Sequence, residues 1–146
     1  MNRLEGSKTA AKVSDITASQ THEHTIDTLG FSYASIDVAF EPVAAGGTAS
    51  AVASVLTLQH SDAVGSGFSA VTGFVSGTNY TIPTPSNTTD SAVVRLNVDL
   101  EGKKRYLRVS ATPTTAGAVS SVARLGVAEA VPVAASAAGV GAFVSG

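Results

Sequence analysis

From Ser91 to Thr112 apolar and polar residues alternate, break at a short charged turn, and resume. In the first half Ala92, Val94, Leu96, Val98 and Leu100 share one phase, against Val93, Arg95, Asn97 and Asp99. In the second, Leu107, Val109 and Ala111 oppose Tyr106, Arg108, Ser110 and Thr112. A period of two is what a strand with one dry and one wet face requires. Glu101-Gly102-Lys103 supplies the turn, with a glycine where the backbone needs positive φ. The segment therefore reads as a β-hairpin of a sandwich or barrel.

The same pattern recurs along the chain. After Gly30, which reads as a bend or bulge, Ala34, Ile36, Val38 and Phe40 alternate with Tyr33, Ser35, Asp37 and Ala39, and Glu41-Pro42 ends the strand. Val43 to Ser50 is a small-residue connection. Val52, Ser54, Leu56, Leu58 and His60 then share a face. The β-branched Val55 and Thr57 favour strand over helix there. A turn at Ser61–Gly67 leads to a short strand, FSAVTGF. A long loop follows, with a strand fragment at Tyr80 to Ile82, and Pro83 and Pro85 keep it out of a central ladder. Near the end Val119, Ser121, Ala123, Leu125 and Val127 take one phase.

About eight strands at roughly ten-residue spacing predict an all-β chain: an antiparallel β-sandwich, with a jelly roll as its expected form. The sandwich is expected over residues 21–129, between two extended arms. Residues 1–20 form a polar N-terminal arm with one short strand at Val13–Ile16. Residues 130–146 form an apolar C-terminal arm with no charge, carrying Val131, Val133, Val140, Phe143 and Val144. Pro132 and the glycines make it a poor helix. An arm of this composition is expected to find a groove, on a neighbouring subunit in preference to its own domain, with a disordered tail as the alternative.

Composition sharpens the picture. Charged residues are 14% of the chain, well under the roughly 25% usual for soluble domains, which suits a subunit whose faces neighbours cover. With no cysteine there is no disulfide frame. The first residues, MNRLEGSKTAAKVSD, lack the apolar core of a signal peptide, and no apolar run is long enough to span a membrane. The charges are segregated. Thr28 to Val94 holds Asp37, Glu41, Asp62 and Asp90 but no lysine or arginine. Gly102 to Ala128 holds Lys103, Lys104, Arg105, Arg108 and Arg124 but no acid. Such polarity serves contacts between copies, or it is erased if the two halves interleave.

Candidate chemistry is sparse. His22-Glu23-His24 places two imidazoles on one face of a strand, as a metal site would, but no third ligand lies nearby in sequence. The pair reads as a polar strand edge, and His60 as a surface or strand-end residue. No nucleophile motif occurs, and Gly65-Ser66-Gly67 reads as a turn rather than a phosphate cradle. Tyr33, Tyr80 and Tyr106 make a thin sugar platform in a chain without tryptophan. Asn79-Tyr80-Thr81 and Asn87-Thr88-Thr89 match glycosylation sequons by chance in a chain without a signal peptide. No catalytic residue, metal or cofactor is assigned, and an enzyme is not expected. The basic run Lys103, Lys104, Arg105, Arg108 around Tyr106 is a candidate docking patch, alongside the plainer reading of a strand tip charged for solubility.

The segments IDTLGFSYASIDVAF, LTLQHSDAVGSGFSAVTGF, VVRLNVDLEGKKRYLRVSATP and VSSVARLGVA, taken together, resemble head decoration (cement) proteins of tailed bacteriophages. The resemblance runs from about Thr25 to Ala128 and is sharpest at Lys103–Val109. It implies a β-sandwich on the outer surface of a phage head, clamping adjacent capsomers. Its partners would be the major capsid protein and other copies of itself, as a homotrimer, with no membrane and no specific nucleic acid. Shell contact by Lys103, Lys104, Arg105 and Arg108 is an inference added to that resemblance. Two alternatives stay open: another virion component of the tail, neck or fibre, and a carbohydrate-binding module.

Overall fold

A computed structural model gives the structure of the chain and describes residues 7–16, 20–42, 55–84 and 89–128. The expected C-terminal arm with Val131, Val133, Val140, Phe143 and Val144 lies outside them, as do the Val43–Ser50 connection, Val52, Ser54, Pro85 and Asn87.

The described residues form β1 (Lys8–Ile16), β2 (His22–Asp27), β3 (Phe31–Phe40), β4 (Val55–Ser61), β5 (Ser69–Val75), β6 (Ala92–Asp99), β7 (Tyr106–Thr112) and β8 (Gly117–Ala128). They build two antiparallel four-stranded sheets, a first in the order β1-β8-β3-β6 and a second in the order β2-β7-β4-β5. The expected all-β sandwich is therefore what this sequence forms. The pairings are nested: β1 with β8, β2 with β7, β3 with β6, β4 with β5. This is one long antiparallel ribbon rolled over on itself, the jelly-roll winding.

The core lies between the sheets and is built from the residues whose alternation the sequence displays. Ile36, Val38, Phe40, Val98, Val119 and Leu125 of the first sheet face Leu56, Leu58, Leu107 and Val109 of the second, all fully buried. Burying each such side chain contributes about 1.5–3 kcal/mol. Tyr80 leans on this core from the loop after β5, and its hydroxyl donates to the Leu56 carbonyl at 2.8 Å. The Tyr80–Ile82 fragment is a single bridge, Ser76 to Tyr80, rather than a strand.

Two expectations are corrected. β6 and β7 do not form a hairpin. β6 pairs with β3 in the first sheet, and β7 pairs with β2 and β4 in the second. The turn at Leu100–Arg105 carries the chain over the top of the sandwich. Alternation cannot distinguish the two arrangements, because either one presents a dry face to the same core. The N-terminal segment is also more than an arm with a short strand at Val13–Ile16. Its strand has nine residues and pairs along its length with β8. Its phases are Lys8, Ala10, Lys12, Ser14 against Thr9, Ala11, Val13, Asp15, with few large apolar groups in either. Hydrophobic periodicity therefore had little to register there.

Gly30 and Gly102 sit at positive φ, 83° and 69°, in two of the connections that change sheets. At Gly102 an added Cβ would meet no atom within 4 Å, so a substitution there tests backbone conformation alone. Gly102→Val is expected to destabilise the fold by about 1–2 kcal/mol, with Gly102→Asn costing less. Urea unfolding midpoints at constant m would show it.

Candidate functional site

Strand β2 is an edge strand of the second sheet, and its inward phase is His22, His24, Ile26. The histidines are therefore not a polar edge open to water. His22 is fully buried and His24 nearly so. They look across the sandwich to β1 and β8 of the opposite sheet. His22 Nδ1 lies 2.8 Å from Ser14 Oγ, and His22 Nε2 lies 2.9 Å from Ser121 Oγ. His24 Nδ1 lies 2.6 Å from the same Ser121 oxygen. The rings meet edge to face, with centroids 6.5 Å apart. Lys12 closes the edge, its Nζ donating to the Glu23 carbonyl at 2.6 Å.

Burial, the neighbouring imidazole and the Lys12 ammonium lower His24 to a pKa of about 4. Burial and Lys12 lower His22 as well. Both rings are neutral at neutral pH. No group of three or more histidines, cysteines or carboxylates that could hold a metal ion occurs among the described residues. Ser121 has an imidazole on either side, as a nucleophile would, yet it is fully buried and a substrate carbonyl has no approach to its oxygen. The arrangement is a polar plug that fastens one sheet to the other.

Sequence reasoning singled out the two histidines and missed Ser14, Ser121 and Lys12. Ser121 carried a signal. It stands in the inward phase of β8 between Val119 and Ala123, and a hydroxyl placed there needs a buried partner. His60, expected at a strand end, is the penultimate residue of β4. Its Nδ1 accepts the Lys104 amide at 3.4 Å, and burial followed by Lys104 and Lys103 lowers its pKa.

The basic cluster is spread along the second sheet, and most of its charge is already met. Arg105 grips Asp27 through two bonds, Nε at 3.0 Å and Nη2 at 2.8 Å, and holds that carboxyl below the usual range. Lys104 faces Asp62 at 3.7 Å. Arg108 reaches Glu23 at 3.2 Å, donates to Gln59 at 2.8 Å and stacks 4.0 Å over the Phe68 ring. Lys103 sits at the tip of the connection, its amide donating to the Leu100 carbonyl. On the first sheet Arg95 holds Asp37 in the same two-pronged way, at 2.6 and 2.8 Å. Of these pairs Lys104–Asp62 alone joins the acidic stretch Thr28–Val94 to the basic one Gly102–Ala128; Arg105 and Arg108 take their partners from β2, and Asp37 takes Arg95. The tyrosines are not gathered: Tyr33 is on the outer face of the first sheet, Tyr106 lies beside Arg105 on the second, and Tyr80 packs on the core.

The outer face of the first sheet gathers Val13, Val93 and Val122, while Leu29, Val55 and Val64 are exposed elsewhere, and the same face carries Asp15, Asp99 and Arg124. Register sets Val13, Ser120, Ala39 and Val93 in one row, and Ala11, Val122, Asp37 and Arg95 in the next. Val13 is 72% exposed, Val93 52% and Val122 45%. The central Asp37–Arg95 pair cancels its own charge.

No protein-family model matches the chain, and no curated protein matches it in sequence. Among solved structures it is similar to BtGH115A, a family GH115 4-O-methyl-α-glucuronidase with specificity for decorated arabinogalactans, at 15% identity and a TM-score of 0.38. The match covers 87% of this chain and 17% of that one. At that distance the likeness says nothing about activity.

Removing the shared hydroxyl tests the plug. Ser121→Ala leaves two buried imidazole nitrogens without their partner and is expected to cost about 1–3 kcal/mol in denaturant unfolding at neutral pH. Ser120→Ala, one position along on the outer face, is expected to change little.

Proposed function

We propose that this chain is a structural virion protein that binds the outer surface of a tailed-phage head and clamps adjacent capsomers. The observation that carries the reading is the first sheet's outer face. Val13, Val93 and Val122 stand exposed on three of its strands, with Ala11 and Ala39 between them, and its central charge pair is self-neutralised. A face of this kind gains from being covered by another protein and meets little electrostatic penalty when it is. The sequence resemblance to cement proteins supplies the class of partner, the major capsid protein. The apolar, uncharged composition of Ala130–Gly146 fits contact with neighbouring copies, as expected of a trimer. The basic residues contribute less to shell contact than their sequence density implies, since Lys104, Arg105 and Arg108 are engaged with Asp62, Asp27 and Glu23.

The mechanism is mechanical. Each copy bridges subunits, and the contact area opposes the outward pressure of packaged DNA. Repeated modest interfaces of roughly 1,600 Å² each suffice when many act together.

Cryo-electron microscopy of the virus particle encoding this chain should place its density on the head exterior, with the first sheet turned toward a neighbouring protein. Density confined to the tail or neck would reject the assignment. In a co-sedimentation assay with heads lacking the chain, Val93→Glu together with Val122→Glu should weaken binding by roughly tenfold or more, because two charges would be desolvated. The unbound variant should keep its melting temperature.

A further inference from the structure

Strand β1 is held unlike the others. It is an edge strand, paired only with β8. Among the described side chains of its inward phase, Lys8, Ala10, Lys12 and Ser14, the one packed on the core is Ala10, a single small methyl group. Burial of these side chains therefore contributes little to keeping it in place. Across the sandwich its fasteners are polar: Ser14 Oγ to His22 and Lys12 Nζ to the Glu23 carbonyl.

The hydrogen count in this network is tight. Three contacts, Ser14–His22, His22–Ser121 and Ser121–His24, need one hydrogen each. With both rings neutral the chain can run either way: Ser14 to His22 Nδ1, His22 Nε2–H to Ser121 and Ser121 to His24 Nδ1, or, with the other tautomers, the reverse. If His24 gains a proton, only the second direction remains: His24 donates to Ser121, Ser121 to His22, and His22 to Ser14. When both rings are protonated, two N–H groups converge on Ser121 Oγ, whose two lone pairs can take both, but its own buried hydrogen loses its acceptor and two cations lie side by side with ring centroids 6.5 Å apart.

The charge balance acts in the same sense. The inward residues packed around the pair are Leu107, Val109 and Ala111 on β7 and Val119, Ser121, Ala123 and Leu125 on β8, none of which titrates. From β1 the charged groups are Lys12, which faces the rings, and Lys8, two pairs along the same phase. Glu23 and Asp27 lie on the outer side of β2, bound to Arg108 and Arg105. A proton entering the plug thus joins the Lys12 ammonium, with no carboxylate facing it.

We propose that the His22–His24–Ser121–Ser14 network is a proton-operated latch that fastens edge strand β1 across the sandwich and lets it go in acid. The sign follows from linkage. The ordinary value for histidine is 6.5, and His24 is lowered to about 4. The stabilisation is therefore complete above about pH 6.5 and is withdrawn as the pH falls toward about 4. Release leaves β1 held by its ladder to β8 alone; where that ladder frays, Val13 and Ala11 leave the outer face and the edge of β8, the central twelve-residue strand, is uncovered. A bare strand of that length is a template for pairing with another chain. The effect on shell binding rests on the proposed function; the latch itself does not.

Hydrogen exchange read by mass spectrometry on the full chain, from about pH 7 down to about pH 4 and corrected for intrinsic rates, tests it. Amides of Lys8–Ile16 should lose protection by roughly tenfold or more, equivalent to one unit of pKa shift, while β3, β4 and β7 stay protected. His22→Gln with His24→Gln, which keeps hydrogen-bonding side chains but cannot titrate, should abolish the loss. Should that variant fail to fold, Lys12→Met serves: without the ammonium, the difference between neutral and acid protection should shrink. Protection of β1 that is flat with pH would overturn the latch, as would loss in all strands together or an unchanged loss in the non-titrating variant. Head decoration is not read by this measurement, so the two ideas fail separately.

Discussion

Among the connections that join described strands, only the β4–β5 turn links neighbours in one sheet; the others cross from one sheet to the other. A strand that enters from such a connection finds its place by the face that sheds water. A one-residue slip would turn the whole inward set to solvent. In β8 it would exchange Val119, Ala123 and Leu125 for Ser120, Val122 and Arg124, burying a guanidinium beside Ala34 and Ile36. The strength of the alternation is thus the strength of the topology. The cost is kinetic, because β1 can meet β8 only after more than a hundred residues have been gathered in, and non-local pairing of this kind folds slowly.

What the sequence made legible follows from that constraint. β3, β6, β7 and β8 were readable because each alternates large apolar with polar groups over many residues, and eight strands in two layers followed from their spacing. What it could not display was which layer each strand joins. Ala92–Leu100 and Leu107–Ala111 look like a hairpin because a turn and two alternating arms are common to a hairpin and to a connection over the sandwich. The choice is made by β3 and β2, which lie far away in sequence and claim β6 and β7 for opposite sheets. β1 was under-read for a different reason. A strand held by its ladder and by hydroxyl and ammonium contacts has no hydrophobic period to find.

The histidines show the limit on the side of the site. Two imidazoles two positions apart were visible, but their environment depended on a serine 99 positions from His22. Read as an edge, the pair is wet and easily protonated; read as a plug, it is dry and neutral. Only pairing of β2 with β7, and of β1 with β8, decides between them. The same pairing neutralises two of the basic residues. Asp27 and Glu23 come to lie against Arg105 and Arg108 because β2 and β7 run antiparallel in register.

These local neutralisations bear on how the molecule meets a partner. A surface of unpaired cations would attract any acidic body, in a salt-dependent and weakly discriminating way. With Arg95, Arg105 and Arg108 engaged by its own carboxylates, the sandwich gives up much of its long-range attraction, and the outer face of the first sheet sets Asp15, Asp99 and Arg124 among its valines and alanines. If such a face is covered by a partner, as proposed, it would discriminate by shape and by exclusion of water, and its hold would depend on every strand lying flat in its place. The polar plug beneath β1 therefore matters beyond its own few bonds: it holds in plane the strand that supplies Val13, the most exposed large apolar side chain of the face.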